Sequence, residues 1–429
     1  MKEAFVQYVW EKQLFTTPFL QTIQKQEIRV IYPGQWSTLA GPDFFNAHIS
    51  IEGQVWAGNI EVHVQSSDWF RHHHEHDSRY DNVILHVVWE YDTPVFNSRG
   101  EEIPTLVVAG YVQPEVLHQR MRLFAPKTSI NCQSLVKGSI SPIAWLKWKE
   151  TLYVERLEDK AIKIQLLLQE TTNDWNQVLW CFLAKNFGLN INGDAFLSIA
   201  KALPIQILLK EGDELFHIEA LLFGMAGFLN ENQEEILDCY YWELVKQWEF
   251  YKQKYQLQER NGSELHFFKL RPINFPTIRL AQLAYWFYHQ KYNLATLLQV
   301  QNIDELKQLL QADVSSYWRE HYMFGKEGKR TRKRLSNSFQ ELVLLNTIIP
   351  MQYVFACHQG SIEDVERIIE MSTRLKMESN AITTLFQKEG VSLESAFDSQ
   401  AMIQLNKNYC VVNKCLSCAV GLAILNKKN

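Results

Sequence analysis

The sequence predicts an α+β protein, with a mixed α/β domain over residues 1–125 followed by a mainly α-helical domain over 126–429. Three observations carry this expectation. The first hundred residues alternate short apolar runs with the turn pairs Pro33-Gly34, Gly41-Pro42 and Glu52-Gly53, the pattern of short strands. From about Pro142 onward, stretches such as WLKWKETLYVERLEDKAIKIQLLLQE repeat with the helical period. Finally, 429 residues exceed one ordinary core, and a 46% apolar content with 13 Trp, 17 Tyr and 24 Phe supplies enough side-chain area for two.

The elements follow in order. Phe5, Tyr8, Val9 and Leu14 recur at roughly helical spacing within residues 2–15, and Thr16, Thr17 and Pro18 end the pattern. Three extended segments are expected at 28–32, 44–51 and 55–64. Ser66 and Ser67 offer N-caps to a short helix running from Asp68 to about Tyr80. The nearly continuous apolar run VILHVVWEY is the pattern of a strand covered on both faces, and a further hairpin is expected around 95–108. The domain therefore reads helix, three strands, helix, strand. In the helical part, breaks are expected at 188–193, Pro204, 271–276, 325–328 and Pro350, with RPINFPTIRLAQLA a packed turn leading into a helix.

Charge and cysteine usage narrow the function classes. With 43 basic and 48 acidic residues the net charge is −5, which excludes a globally basic nucleic-acid binder but leaves a local run at 326–334. In that run Lys329, Arg330, Lys333 and Arg334 are candidate phosphate contacts, against the alternative of a solvated surface. The first residues carry Lys2, Glu3, Glu11 and Lys12 without an apolar core segment, and no stretch approaches the ~18 apolar residues of a membrane span. Seven cysteines without export features favour reduced thiols or metal ligands, so the expectation is a cytoplasmic protein.

Three constellations carry chemistry. In VWAGNIEVHV, alternation sends Ile60, Val62 and Val64 one way and Glu61 and His63 the other, so a carboxylate and an imidazole share a face. Asp43 stands at the entry of the preceding strand, within reach of Glu61 if one hard cation, Mg²⁺ or Mn²⁺, joins them. Strict alternation would place Asp43 on the apolar face of Phe45, Ala47, Ile49 and Ile51, so it must precede the regular strand or sit at a bulge.

The second constellation is DWFRHHHEHDSRY. In a helix His72 and His76, like His73 and Asp77, are i and i+4 neighbours, so not all can reach one site. His72, His74 and Asp77 are expected near the Asp43/Glu61 face as transition-metal ligands, the alternative being an exposed polar helix, while His86 reads as a hydrogen-bonded core histidine. The third is NYCVVNKCLSCAVG, whose Cys410, Cys415 and Cys418 suit zinc or an iron–sulfur cluster, with Cys132, Cys357 and His358 candidates for a fourth ligand, or else are buried thiols.

The order of elements, with Pro42-Asp43 before one strand and Glu61-Val62-His63 on the next, resembles the PD-(D/E)XK nuclease superfamily. That resemblance covers residues 1–92 and implies that Asp43 and Glu61 hold the metal, that Glu11 of the first helix adds a carboxylate, and that His63 occupies the usual lysine position. Some superfamily members also hold a cluster through cysteines split between distant and C-terminal positions. Over the whole chain, the phrases GPDFFNAHI, GNIEVHVQSSDW, YDNVILHVVWEYD, RPINFPTIRLAQLA and YCVVNKCLSCAVG resemble a bacterial family known only as a domain of unknown function.

The expected function is a metal-dependent, nuclease-like phosphodiesterase acting on DNA or RNA, with His63 positioning or deprotonating water. The alternatives are another metal hydrolase, using Zn, Mn or Fe at His72, His74 and Asp77, and a non-catalytic binding module on a degenerate nuclease fold.

Overall fold

The structure, a computed structural model, describes residues 1–37, 41–124, 130, 132, 140–230, 238–260, 265–291 and 294–425. It is α+β, and its residues fall into two compact units. The first comprises Met1–Trp148, Lys388–Gly390 and Leu405–Asn429, and the second Lys149–Gln387 and Val391–Gln404. The first unit thus runs past residue 125 and takes in the C-terminal segment, because the helix Ala419–Leu425 packs against α3 (Pro114–Phe124).

Before α3, the first unit contains α1 (Glu3–Glu11), β1 (Leu20–Gln21), β2 (Glu27–Tyr32), β3 (Gln35–Trp36), β4 (Phe44–Ile51), β5 (Gln54–Gln65), α2 (Asp68–Arg71), β6 (Val83–Glu90) and β7 (Thr105–Val107). The sheet order is β1-β2-β4-β5-β6-β7, with β3 also on β4. Strands β1 to β5 pair antiparallel, whereas β5/β6 and β6/β7 are parallel. Glu52 and Gly53, both at positive φ, form the two-residue turn that sets the β4/β5 register Ile51↔Gln54.

One sheet face packs Val6 and Trp10 of α1 on Ile28, Phe44, Ala47, Ile49, Ile60, Val62, Leu85 and Val87. Burying these side chains is the main driving force of the unit. The opposite face carries Trp69, Tyr80, Val83, Val95 and Ile103.

Two local expectations change. The segment 68–80 is no continuous helix: α2 ends at Arg71, His73 adopts a left-handed φ of 61°, and two 3₁₀ turns follow, His74–His76 and Ser78–Tyr80. Ser66 does not cap it either, because its hydroxyl is engaged by Asp92 and the Thr93 carbonyl. The 95–108 region holds a small antiparallel bridge, Phe96↔Glu102, and then β7, which joins the sheet parallel to β6.

The helical unit is built of helix pairs such as Trp175–Phe187 with Leu189–Ala202, and Leu215–Met225 with Cys239–Tyr255. In the latter pair Gly224 is required, since a Cβ there would lie 2.0 Å from the buried Trp248 ring. Pro350 does not break its helix. A π-turn at Leu344–Ile348 leads directly into Ile349–Gln359, placing the proline at the start of the new α segment, where its missing N–H costs little.

Candidate metal centre

The centre is built on the end of β5 and the loop that follows. Period-two alternation buries Ile60 and Val62 against α1 and turns Glu61 and His63 to the other face. Asp43 precedes β4, and Asn46, at a φ of 55°, marks a register shift between Phe44 and Ala47, which lets Phe44 and Ala47 both enter the core. The Asp43 backbone N–H donates to Glu61 Oε2 (3.0 Å) and the Val62 N–H to Asp43 Oδ2 (3.2 Å), locking the two acidic residues together.

The left-handed His73 re-aims the chain so that its two neighbours both reach the sheet. His63 Nε2 lies 3.1 Å from His72 Nδ1 and 3.5 Å from Glu61 Oε1. His74 Nε2 lies 3.3 Å from the same Glu61 oxygen, yet this buried nitrogen makes no well-formed hydrogen bond. Ligating nitrogens of His63, His72 and His74 all fall within 4.8 Å of one another. His63 and His74 are buried while His72 is exposed, so the cluster is reachable from one side. Behind it His86 Nε2 lies 2.8 Å from His63 Nδ1, fixing that ring, and Tyr80 stacks on His74 at 3.8 Å.

Burial dominates the electrostatics. It pushes Glu61 up to about 8, aided by the charge of Glu3, and Asp43 up to about 7, aided by Glu61. Burial, with the neighbouring His86, His74 and His72, pulls His63 down to about 2; burial pulls His86 down to about 3. His63 and His86 are therefore neutral, the form in which a nitrogen lone pair is available. Among the described residues no lysine or arginine pairs with Asp43 or Glu61. Three clustered imidazoles, the buried Glu61 carboxyl with the half-buried Asp43 beside it, and a His74 nitrogen without a well-formed hydrogen bond fit a divalent ion.

Several expected site residues lie elsewhere. Glu11 pairs with Lys12 at 2.7 Å, and the α1 carboxylate that interacts with Asp43, His72 and His74 is Glu3. Those two glutamates are about 80° apart around a helix and roughly 12 Å apart along it, so periodicity alone could not choose between them. Asp77 caps the Ser78–Tyr80 turn, and the hydrogen bonds of Arg79 hold its carboxyl down at about 2. Lys333 is a correction to the expected phosphate contacts. It is buried, donates to the Trp318 and His321 carbonyls and covers the Tyr322 ring, whereas Lys329 and Arg330 are exposed and Arg334 reaches Asp313.

The fold and the site define an α+β protein whose mixed sheet presents a buried histidine and carboxylate cluster. This chain belongs to the family described as a protein of unknown function, DUF2851, whose model matches residues 3–381. The cysteine-bearing stretch YCVVNKCLSCAVG lies beyond that match. No curated protein and no solved structure matches the chain.

Proposed function

We propose that this protein is a divalent-metal-dependent phosphodiesterase acting on DNA or RNA, with Glu61, His63, His72 and His74 holding the ion and Asp43 beside it. The observation that carries this reading is the convergence of three imidazole nitrogens within 4.8 Å of one another, two of them within 3.5 Å of a buried glutamate oxygen. Three nitrogen donors favour Mn²⁺, Fe²⁺ or Zn²⁺ over Mg²⁺. Such an ion supplies Lewis acidity toward a phosphoryl oxygen and lowers the pKa of water. His63 would give its free nitrogen to the ion, so the proton acceptor is instead Asp43, the carboxylate fixed beside it by the Val62 N–H. His86 orients His63, and Gln7 links Glu3 to Asp43.

The phosphodiester assignment is supported by the arrangement of Asp43 before one antiparallel strand, Glu61-Val62-His63 on the next, and a parallel strand after the crossover. It is also supported by cations for phosphate: exposed Lys329 and Arg330, and, in the first unit, a cavity of about 510 Å³ bordered by Lys2, Arg120 and Lys414.

A second reading, a metal-pinned but non-catalytic nucleic-acid module, is favoured by the closed imidazole chain His72–His63–His86 at the position where lysine is usual. The test is cleavage of end-labelled single- and double-stranded DNA and RNA by chelator-treated protein reloaded with Mn²⁺, Zn²⁺ or Mg²⁺. Expected is Mn²⁺-dependent cleavage that Glu61→Gln lowers on the order of 100-fold or more, at least the loss seen for outer partners of metal ligands. Tight metal binding without cleavage selects the second reading, and no metal binding removes both.

A further inference from the structure

The cysteines of the first unit are none of the residues of the histidine cluster, and they carry an inference that does not depend on how that cluster is read. Cys410, Cys415 and Cys418 are separated by four and two residues, the C-x₄-C-x₂-C run that supplies three ligands to plant-type iron–sulfur clusters, with the fourth cysteine coming from a distant position.

The local backbone is shaped around this run. The Lys414 N–H donates to the Tyr409 carbonyl (2.8 Å) and the Asn413 N–H, at a left-handed φ of 56°, to Cys410 (3.2 Å), folding the first four-residue gap back on itself. The Cys418 N–H returns to the Cys415 carbonyl at 3.3 Å. Gly421 passes so close that a Cβ would sit 2.0 Å from the Cys415 oxygen, so no other residue admits this turn. The backbone N–H groups of Val420 and Gly421 are directed at the Cys418 sulfur, which sits beside the Trp148 indole. Hydrogen bonds of this kind stabilise a sulfur that carries negative charge.

The fourth thiol is supplied from far away in the chain. Cys132, which follows α3, acts electrostatically on Cys410 together with Cys418 and Cys415, and burial with these three neighbours drives the Cys410 thiol well above its ordinary value. Cys415 and Cys418 are 8% and 6% exposed, and none of the four is in a disulfide. Cys132 and Cys410 are half-buried beside them, and the C-terminal segment that carries three of these thiols packs on α3, the helix that precedes the fourth. Three thiols at C-x₄-C-x₂-C spacing with one distant cysteine match the ligand pattern of a plant-type iron–sulfur cluster.

We propose that Cys132, Cys410, Cys415 and Cys418 ligate an iron–sulfur cluster that fastens the C-terminal segment to the first unit. The Cys415–Ser417 turn packs against α1, and the helix that follows packs against α3, so the cluster braces the helix that carries Glu3.

The test uses the full chain purified anaerobically from iron-replete cells. Expected are ~2 or ~4 iron atoms with as many acid-labile sulfides per chain, and a broad visible absorption bleached by dithionite. Cys132→Ser, Cys415→Ser and Cys418→Ser should each lose most of that iron, while Cys239→Ser, in the helical unit, keeps it. Because a cluster variant can misfold, Mn²⁺ binding at the histidine centre and far-ultraviolet circular dichroism are measured on the same samples, and iron loss with both retained is the expected pattern. Stoichiometric zinc without iron overturns the proposal, as does wild-type protein that holds no iron even after reconstitution with Fe²⁺ and sulfide. Full cluster content in Cys132→Ser removes that residue as the fourth ligand.

Discussion

Two buried glutamates, one in each unit, show what separates a site from a core. Glu219, on the helix Leu215–Met225, is fully buried, and burial pushes its carboxyl up to about 7. Glu61 is nearly as buried, and burial pushes it up to about 8. By the measure of a perturbed carboxyl the two are equivalent, but their neighbours are not. Glu219 receives the Tyr240 hydroxyl amid apolar side chains. Glu61 instead has two imidazole nitrogens within 3.5 Å and Asp43 locked beside it. Burial alone produces an unusual pKa; a ligand site also needs several lone pairs directed at one point.

The largest effect that can break this contrast is metal binding itself. Glu61→Gln is expected to weaken Mn²⁺ affinity on the order of 100-fold or more, and Glu219→Gln to leave it unchanged, as read by isothermal titration calorimetry. Equal losses in the two variants would mean that Glu61 acts only as another core carboxyl.

The pH dependence sharpens it next. Glu61 and Asp43 have folded values of about 8 and about 7, above their ordinary 4.5 and 3.8, so the metal-free folded state holds protons that the unfolded chain has released. Their contribution to metal-free stability is complete below pH ~4 and is lost as pH rises through about 8. An ion requires both carboxylates ionised, so Mn²⁺ affinity should rise on the order of 10- to 100-fold from pH 6 to 8 and then level off, with proton uptake by buffer as the calorimetric signature. His63, neutral above about 2, adds no proton release in this range. A flat affinity between pH 6 and 8 would show that the carboxylates are not displaced from their protons by the ion.

Smaller again is the effect of His86, which touches His63 but not the ion-facing nitrogens. His86→Phe should weaken Mn²⁺ binding by ~10-fold while His63, His72 and His74 remain in place, within the range for a group that orients a ligand. Mn²⁺ electron paramagnetic resonance measures both the affinity and any change in nitrogen coordination.

The smallest contrast is within the basic run of the helical unit. Lys333→Ala leaves two carbonyls without their donor and should lower stability by about 1–3 kcal/mol in urea unfolding. The double replacement Lys329→Ala with Arg330→Ala should leave stability unchanged and reduce the salt slope of nucleic-acid binding by about 2, one counterion per lost phosphate contact. An unchanged slope returns these two to a solvated surface.

Much of this was legible in the sequence because it depends on local periodicity. β4 has the predicted bounds, β2, β5 and β6 fall within one residue of theirs at each end, and the long helix Pro142–Glu170 begins where the helical text begins. The pairing of Glu61 with His63 on one face follows from period two, and the expectation that Asp43 precedes the regular strand follows from the apolar letters behind it.

Tertiary structure alone decided the rest, where one residue's conformation or a distant contact overrides the local pattern. Helical spacing separates His72 from His74 by about 200° around an axis, and the left-handed turn at His73 lets His72 reach His63 while His74 reaches Glu61. The choice of Glu3 over Glu11 depends on which end of α1 docks near Asp43, and Lys333 is a core residue because a buried amino group can satisfy carbonyls that no neighbour in sequence reaches. Cys132 meets Cys410 through the return of the C-terminal segment to the first unit. Residue type and spacing declare which chemistry a segment can offer, because alternation and turn preference act over a few residues. Which of those groups share one point in space is set by packing between segments far apart in the chain, and no local pattern encodes it.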